Sequence, residues 1–155
     1  MSNLLLLHAA LGARTQFNEL EEEIRGAFDL HSLDFEGHGA SPPVERPFRI
    51  ESFAENVIAY LDERSIESID VFGYSMGGYV ALYLATIAPA RIGRIMTFGT
   101  KLRWDPATSA REVRMLDPVK IREKVPHFAA ALEARHSGAG WVSVLEKTAD
   151  MMLAL

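Results

Sequence analysis

Leu4 to Leu7 form an unbroken apolar run that gives way to His8, Ala9, Ala10, Leu11 and Gly12. Such a run is the pattern of a strand buried on both faces, followed by a loop. Phe17, Leu20 and Ile24 then recur at helical spacing with Glu21, Glu22 and Glu23 between them, and Gly26 follows. This predicts a surface helix with a single apolar stripe. Phe28 to Phe35 reads as a second strand, closed by the turn-rich segment from Glu36 to Pro43. Phe53, Val57, Ile58 and Leu61 share one face of a second helix, starting near Ser52, which can serve as its N-cap. Ile69 to Phe72 forms a third short strand. Gly73 to Gly78 turns sharply into a helix carrying Val80, Leu82, Leu84 and Ile87, which Pro89 stops. Ile92 to Phe98 supplies a fourth strand.

Strands alternating with helices call for parallel pairing, because parallel neighbours cannot be joined by a tight hairpin and need a crossover. The fold class is therefore α/β, with a parallel sheet of about four strands flanked by helices. After Gly99 the alternation stops, and helical segments alone follow, punctuated by Pro106, Pro118, Pro126 and Gly138-Ala139-Gly140. Residues 1–99 read as the α/β core and residues 100–155 as a helical cap segment. The apolar end, Met151 to Leu155, reads as a cut through a longer chain.

Composition narrows the class further. With 155 residues, 48% hydrophobic and 24% charged, the chain has the balance of a globular domain with a real core. Sixteen basic against twenty-one acidic residues give a formal charge of -5. No Lys/Arg cluster interleaves with aromatics, so nucleic acid is not an expected partner. The absence of cysteine removes disulfides, thiolate metal sites and a cysteine nucleophile. The apolar start lacks a basic flank and is interrupted by His8, and no stretch approaches the roughly 18 apolar residues of a membrane span. A cytoplasmic address without membrane association is expected.

The chemistry concentrates at Gly73-Tyr74-Ser75-Met76-Gly77. This G-x-S-x-G pattern lies between a predicted strand and a predicted helix, the context of a nucleophile elbow. The turn is so tight that a side chain at either glycine would strike a neighbouring strand or helix, while Ser75 is held strained and pushed toward solvent. The helix N-terminus is thereby aimed at a reacting carbonyl, and the Met76 N–H can donate to a developing oxyanion. If the first strand lies beside the third, residues 9–12 come next to Ser75, which makes the Ala10 N–H the candidate second donor. His8 and His38 read as side chains that tie loop backbone, and His31 as a structural residue within a strand. His127 and His136 read as parts of a solvated helix face. Asp34 and Asp105 suit capping or loop-tying roles.

Three motifs together resemble the α/β-hydrolase superfamily, in particular its small capped esterase-like members. Leu7-His8-Ala9-Ala10-Leu11-Gly12 is similar to that family's H-G-x-x-G oxyanion loop, with Ala9 where glycine is usual. Asp34-Phe35-Glu36-Gly37-His38-Gly39-Ala40-Ser41 is similar to its D-x-x-G-H-G-x-S loop, and Gly73 to Gly78 to its elbow. The resemblance implies that the four strands lie in the order two, one, three, four and that residues 100–155 begin a lid. It further implies a serine hydrolase of esters, thioesters or similar small-molecule acyl substrates, with neither cofactor nor metal. The family's acid and histidine follow strands beyond these four, so the triad is incomplete within these residues. The alternative is a catalytically silent hydrolase fragment or small-molecule binding module. A fourth strand left as an open edge also predicts a homodimer or domain exchange.

Overall fold

A computed structural model describes residues 1–155. Four strands, β1 (Ser2–Leu7), β2 (Phe28–Ser32), β3 (Ile69–Tyr74) and β4 (Ile92–Phe98), form one sheet in the order β2-β1-β3-β4. All three pairings are parallel. Seven helices connect and follow them: α1 (Asn18–Ile24), α2 (Ile50–Glu63), α3 (Met76–Ile87), α4 (Pro106–Val113), α5 (Pro118–Lys124), α6 (Pro126–Arg135) and α7 (Trp141–Leu153). The α/β class and the strand order are those expected from the sequence. None of the helices is long and apolar enough to cross a membrane.

Strand alternation divides the apolar residues between two faces. Leu5, Leu7, Ile69 and Val71 enter the main core with Phe53, Val57 and Leu61 of α2 and Val80, Ala81 and Leu84 of α3. Leu4, Leu6 and Phe72 face the other side, where Leu20 and Ile24 of α1 lie. Phe17 meets Phe72 edge-on there, with ring centroids 6.1 Å apart. The helical segment shares in the main core, since Val144 and Met151 of α7 are buried within it. A smaller cluster of Ile121, Ala129, Leu132, Trp141 and Leu145 holds α5, α6 and α7 together. β4 pairs with β3 alone and is the open edge on that side, with Met96 and Phe98 about two-thirds exposed.

Two boundaries differ from the sequence reading. β2 ends at Ser32 and not at Phe35, because the backbone beyond it is claimed by side chains. The Phe35 N–H donates to His8 Nε2 at 3.1 Å and the Glu36 N–H to Asn56 Oδ1 at 2.9 Å. α2 starts at Ile50, so Ser52 lies buried in its first turn and does not cap it. The entry is fixed by burial of Phe48 and Ile50 on either side of Arg49.

β1 lies between β2 and β3, so the chain reverses its direction of winding between β1 and β3. Loops leaving the carboxyl ends of those two strands must therefore meet. The register places Leu7 opposite Gly73, and α3 starts so close to β1 that a Cβ on Gly77 would overlap the Leu7 carbonyl. A backbone carbonyl in a paired strand cannot swing away as a flexible side chain would. Gly77→Ala is therefore expected to lower stability by about 2–3 kcal/mol. Urea unfolding would show this, and a midpoint equal to that of the parent would contradict the close approach.

Candidate active site

Ser75 occupies the single residue between β3 and α3, with φ 51° and ψ −114°. A non-glycine residue in such a conformation costs about 1–3 kcal/mol and persists only where its surroundings over-determine it. Here the end of β4 supplies much of that restraint. The Ser75 N–H donates to the Phe98 carbonyl at 2.7 Å, and Thr100 Oγ1 donates to the Ser75 carbonyl at 2.9 Å. The Gly78 and Tyr79 N–H groups converge on the same carbonyl at 3.0 and 3.3 Å. The Ser75 hydroxyl makes no hydrogen bond within the chain and lines a small cavity with Ala10 and Met76.

The loop after β1 is a tight turn closed by the Gly12 N–H donating to the Ala9 carbonyl at 2.9 Å. Leu11, at its third position, has φ 61°, whereas Ala9 and Ala10 keep negative φ. This is the sign pattern of a type II turn, in which glycine is favoured at the third position and a leucine is strained by about 1–2 kcal/mol. Ala9 therefore meets no conformational penalty for replacing glycine. Its N–H is held by Gln16 Oε1 at 3.0 Å, while the Ala10 N–H donates to no group of the chain. Met76 is the first residue of α3, where N–H groups lack intrahelical acceptors and the helix dipole favours negative charge. Ala10 and Met76, whose N–H groups find no acceptor in the chain, both line the cavity with Ser75.

That cavity holds about 50 Å³ and is lined mainly by hydrophobic residues, including Ile50, Tyr79, Trp104, Met151, Met152 and Leu155. Lys101 also lines it, but its ammonium is ion-paired with Glu112. No three His, Asp or Glu side chains converge where they could hold a metal ion.

None of the five histidines lines the cavity. His8 is fully buried: Nδ1–H donates to the Ala9 carbonyl at 2.8 Å, and Nε2 accepts from the Phe35 N–H. His38 is also fully buried, donating from Nδ1 to the Glu36 carbonyl at 3.0 Å and stacking on Phe48 at 4.7 Å. His31 bonds the Tyr60 hydroxyl at 3.2 Å, and Asp105 caps α4 by accepting from the Thr108 N–H at 2.8 Å.

His136 departs from expectation. It does not lie on a solvated face but is buried just beyond α6. Its Nδ1 accepts from the Gly39 N–H at 2.9 Å, and its Nε2–H donates to the Leu11 carbonyl at 2.9 Å. Those partners are 97 and 125 residues away, beyond the reach of any local pattern. The one local signal was Gly138, whose Cβ would overlap the Ser41 carbonyl. Thr100 was also missed, since a threonine after a strand carries no signature of its own.

Fold and site together define an open parallel α/β sheet with a strained strand-to-helix serine at its topological switch. The chain belongs to the α/β-hydrolase fold family, whose profile matches residues 3–137. Pimeloyl-[acyl-carrier protein] methyl ester esterase of Neisseria meningitidis serogroup B is 33% identical over 92 residues, covering 59% of this chain and 34% of that protein. Among solved structures, a thermophilic esterase from Thermogutta terrifontis superposes with a TM-score of 0.74 at 22% identity, covering 99% of this chain and 62% of that one. The enol-lactonase from Burkholderia xenovorans gives 0.75 at 19% identity, covering 99% and 65%. The aligned region is thus about a third of the curated relative's length and about two-thirds of the lengths of the solved structures.

Burial pushes the pKa of His8 down from 6.5 to about 4 and that of His38 to about 3, and it also lowers that of His136. As pH falls below 6.5, histidines of the unfolded chain take up protons while these folded ones do not. Protons therefore favour unfolding in this window, and each of His8 and His38 removes about 1.4 kcal/mol of stability per pH unit down to its folded value. Urea midpoints are expected to fall steeply between pH 7 and pH 5, with His38→Phe reducing the slope. Stability independent of pH across that range would contradict the burial of neutral histidines.

Proposed function

We propose that this α/β hydrolase uses Ser75 as the nucleophile against esters, thioesters or similar acyl compounds, with the Met76 and Ala10 N–H groups binding the oxyanion. The observation that carries the reading is the strained Ser75 backbone at a cavity shared with two unused N–H donors. Strain of this kind needs the restraints that surround it, and it holds the hydroxyl where packing alone would not require one. In the reaction the hydroxyl oxygen attacks the acyl carbonyl carbon, the carbonyl oxygen takes up negative charge between the two donors, the bond to the leaving oxygen or sulfur breaks, and the Ser75 proton passes to it so that an alcohol or thiol departs. Water then releases the acyl group from Ser75. Removing one such donor in a comparable site costs about a hundred- to a thousand-fold in rate.

The pocket favours a small, uncharged acyl group. Its 50 Å³ is several times the roughly 10–15 Å³ that a cavity needs to hold one water, room for a small group beside Ser75. Lys101 is neutralised by Glu112 and supplies no spare charge for an anionic tail. The relative named as a methyl ester esterase supports ester chemistry at such a site.

A second reading rests on one observation: no histidine of residues 1–155 lines the cavity, and a serine hydroxyl without a neighbouring base is a weak nucleophile. On that reading the chain is a catalytically silent fragment or a module that binds small molecules in the same pocket. Labelling with a fluorophosphonate, followed by mass spectrometry of the modified peptide, separates the two. Stoichiometric modification of Ser75, abolished in Ser75→Ala, is expected for the hydrolase. A folded sample that stays unmodified would leave the silent reading standing.

A further inference from the structure

We infer that Arg135 and His136 are positioning residues for the oxyanion loop, holding the turn that carries the Ala10 N–H from the far side of the molecule. The inference rests on the serine-hydrolase reading for its catalytic consequence, though the anchor itself stands on geometry alone.

The turn from Ala9 to Gly12 has a built-in reason to change shape. Leu11 sits at φ 61° where glycine is favoured, and relaxing it to a negative φ would flip the Ala10–Leu11 peptide and convert a type II turn into type I. Gly12 N–H donating to the Ala9 carbonyl does not prevent this, because both turn types keep that bond. The flip leaves the Ala10 N–H and the Leu11 carbonyl, which belong to the flanking peptides, almost where they were, so an outside contact can hold the placement of the turn and not its type.

The Leu11 carbonyl provides the handle. It accepts two hydrogen bonds from the end of α6, one from the Arg135 guanidinium at 2.7 Å and one from His136 Nε2–H at 2.9 Å. Nothing in the local sequence supplies an equivalent. The imidazole is itself held by its other nitrogen, which accepts the Gly39 N–H at 2.9 Å. That bond fixes the proton on Nε2 and aims it at Leu11. The Gly138 N–H donates to the Gly39 carbonyl at 3.1 Å and ties the same two segments a second time. The helical segment thus grips the loop after β1 and the loop after β2 together, and the first of these carries the free N–H at the Ser75 cavity.

The position of α6 is itself set by packing, since Ala129 and Leu132 are buried against Trp141 and Leu145. Arg135 follows Leu132 by one helical turn and projects from a fixed base. A structural tie alone could sit anywhere along these loops. This one lands on the carbonyl of the strained residue, next in sequence to the donor.

The test is the kinetics of Ser75 modification by a fluorophosphonate, resolved into the inactivation constant and the apparent binding constant, for the parent, Arg135→Ala, His136→Ala and Arg135→Lys. Arg135→Ala is expected to lower the inactivation constant by about tenfold, with the binding constant within about twofold and a cooperative thermal transition retained. Arg135→Lys should recover part of that loss, because an ammonium at the same helix position can still donate to the Leu11 carbonyl. A merely structural role would show no such recovery. If His136→Ala fails to fold because the Gly39 N–H loses its acceptor, Arg135→Ala still decides, since it leaves that bond in place. An unchanged inactivation constant in Arg135→Ala would overturn the inference. If the parent chain is not modified at Ser75, the hydrolase reading fails by itself, and backbone ¹⁵N relaxation decides the anchor. A lower order parameter at Ala10 in Arg135→Ala supports the anchor, and an unchanged one overturns it.

Discussion

The backbone of Ser75 is the constraint from which most of the molecule follows. A strand that enters a helix through one residue at φ 51° must be held on every side, and the restraint comes from elements remote in sequence. β4 has to end where Phe98 and Thr100 reach the Ser75 N–H and carbonyl. α3 has to lie so close to β1 that only glycine fits at position 77. The cost of about 1–3 kcal/mol for such a residue is small beside the burial of Leu5, Leu7, Val71, Val80 and Leu84 around it, each contributing about 1.5–3 kcal/mol. The sheet can therefore sustain the strain, but only with the β2-β1-β3-β4 order that packs those residues together.

Above the sheet lies a layer held by polar side chains where apolar packing would be the ordinary solution. His8, His38 and His136 are buried within 6 Å of one another in series, with ring centroids of 5.1 Å from His8 to His38 and 5.9 Å from His38 to His136. Each bonds backbone and none bonds a carboxylate. His8 and His136 each donate from one nitrogen and accept at the other, joining two loops through one rigid ring, whereas His38 ties only its own loop and its buried Nε2 has no partner. Lys147 adds a further tie by donating to the Val44 and Arg46 carbonyls. The helical segment is consequently fastened to the loops around the site, as well as sharing its core.

The sequence was most informative where physics acts over a few residues. Leu4 to Leu7 could only be a strand buried on both faces, Pro89 had to stop α3, and the glycines around Ser75 announced a turn too tight for side chains. The expectation that Asp34 ties a loop rests on the same short-range logic. It failed where the deciding partner was distant. Phe28 to Phe35 looked like a continuous strand because nothing nearby shows that the His8 ring takes the Phe35 N–H. His136 looked solvated because α6 is short and weakly amphipathic, while the Gly39 and Leu11 groups that bury it lie near the other end of the chain. Ser52 had a capping side chain but not the position, because burial of Phe48 and Ile50 pulled the start of α2 back by two residues.

The arrangement divides the work of an acyl transfer unevenly. Residues 9–12 and 73–78 contain a strained serine and two unused N–H groups at one cavity, which is the part of such a reaction that acts on the carbonyl and on the charge it develops. The buried histidines do not move a proton at that cavity, since their hydrogen bonds point away into the loops and burial holds His8 and His38 neutral far below pH 6.5. In enzymes of this kind the carbonyl-binding part alone sustains a residual acceleration of about a thousand- to ten-thousand-fold over water. Much of that residual depends on donors held rigidly before the reaction begins, because a loop that must reorganise as charge develops loses the advantage over solvent. On the proposed serine-hydrolase reading, rigidity at Ala10 would serve the developing charge, and the Leu11 carbonyl beside it is held by side chains more than 120 residues away in sequence.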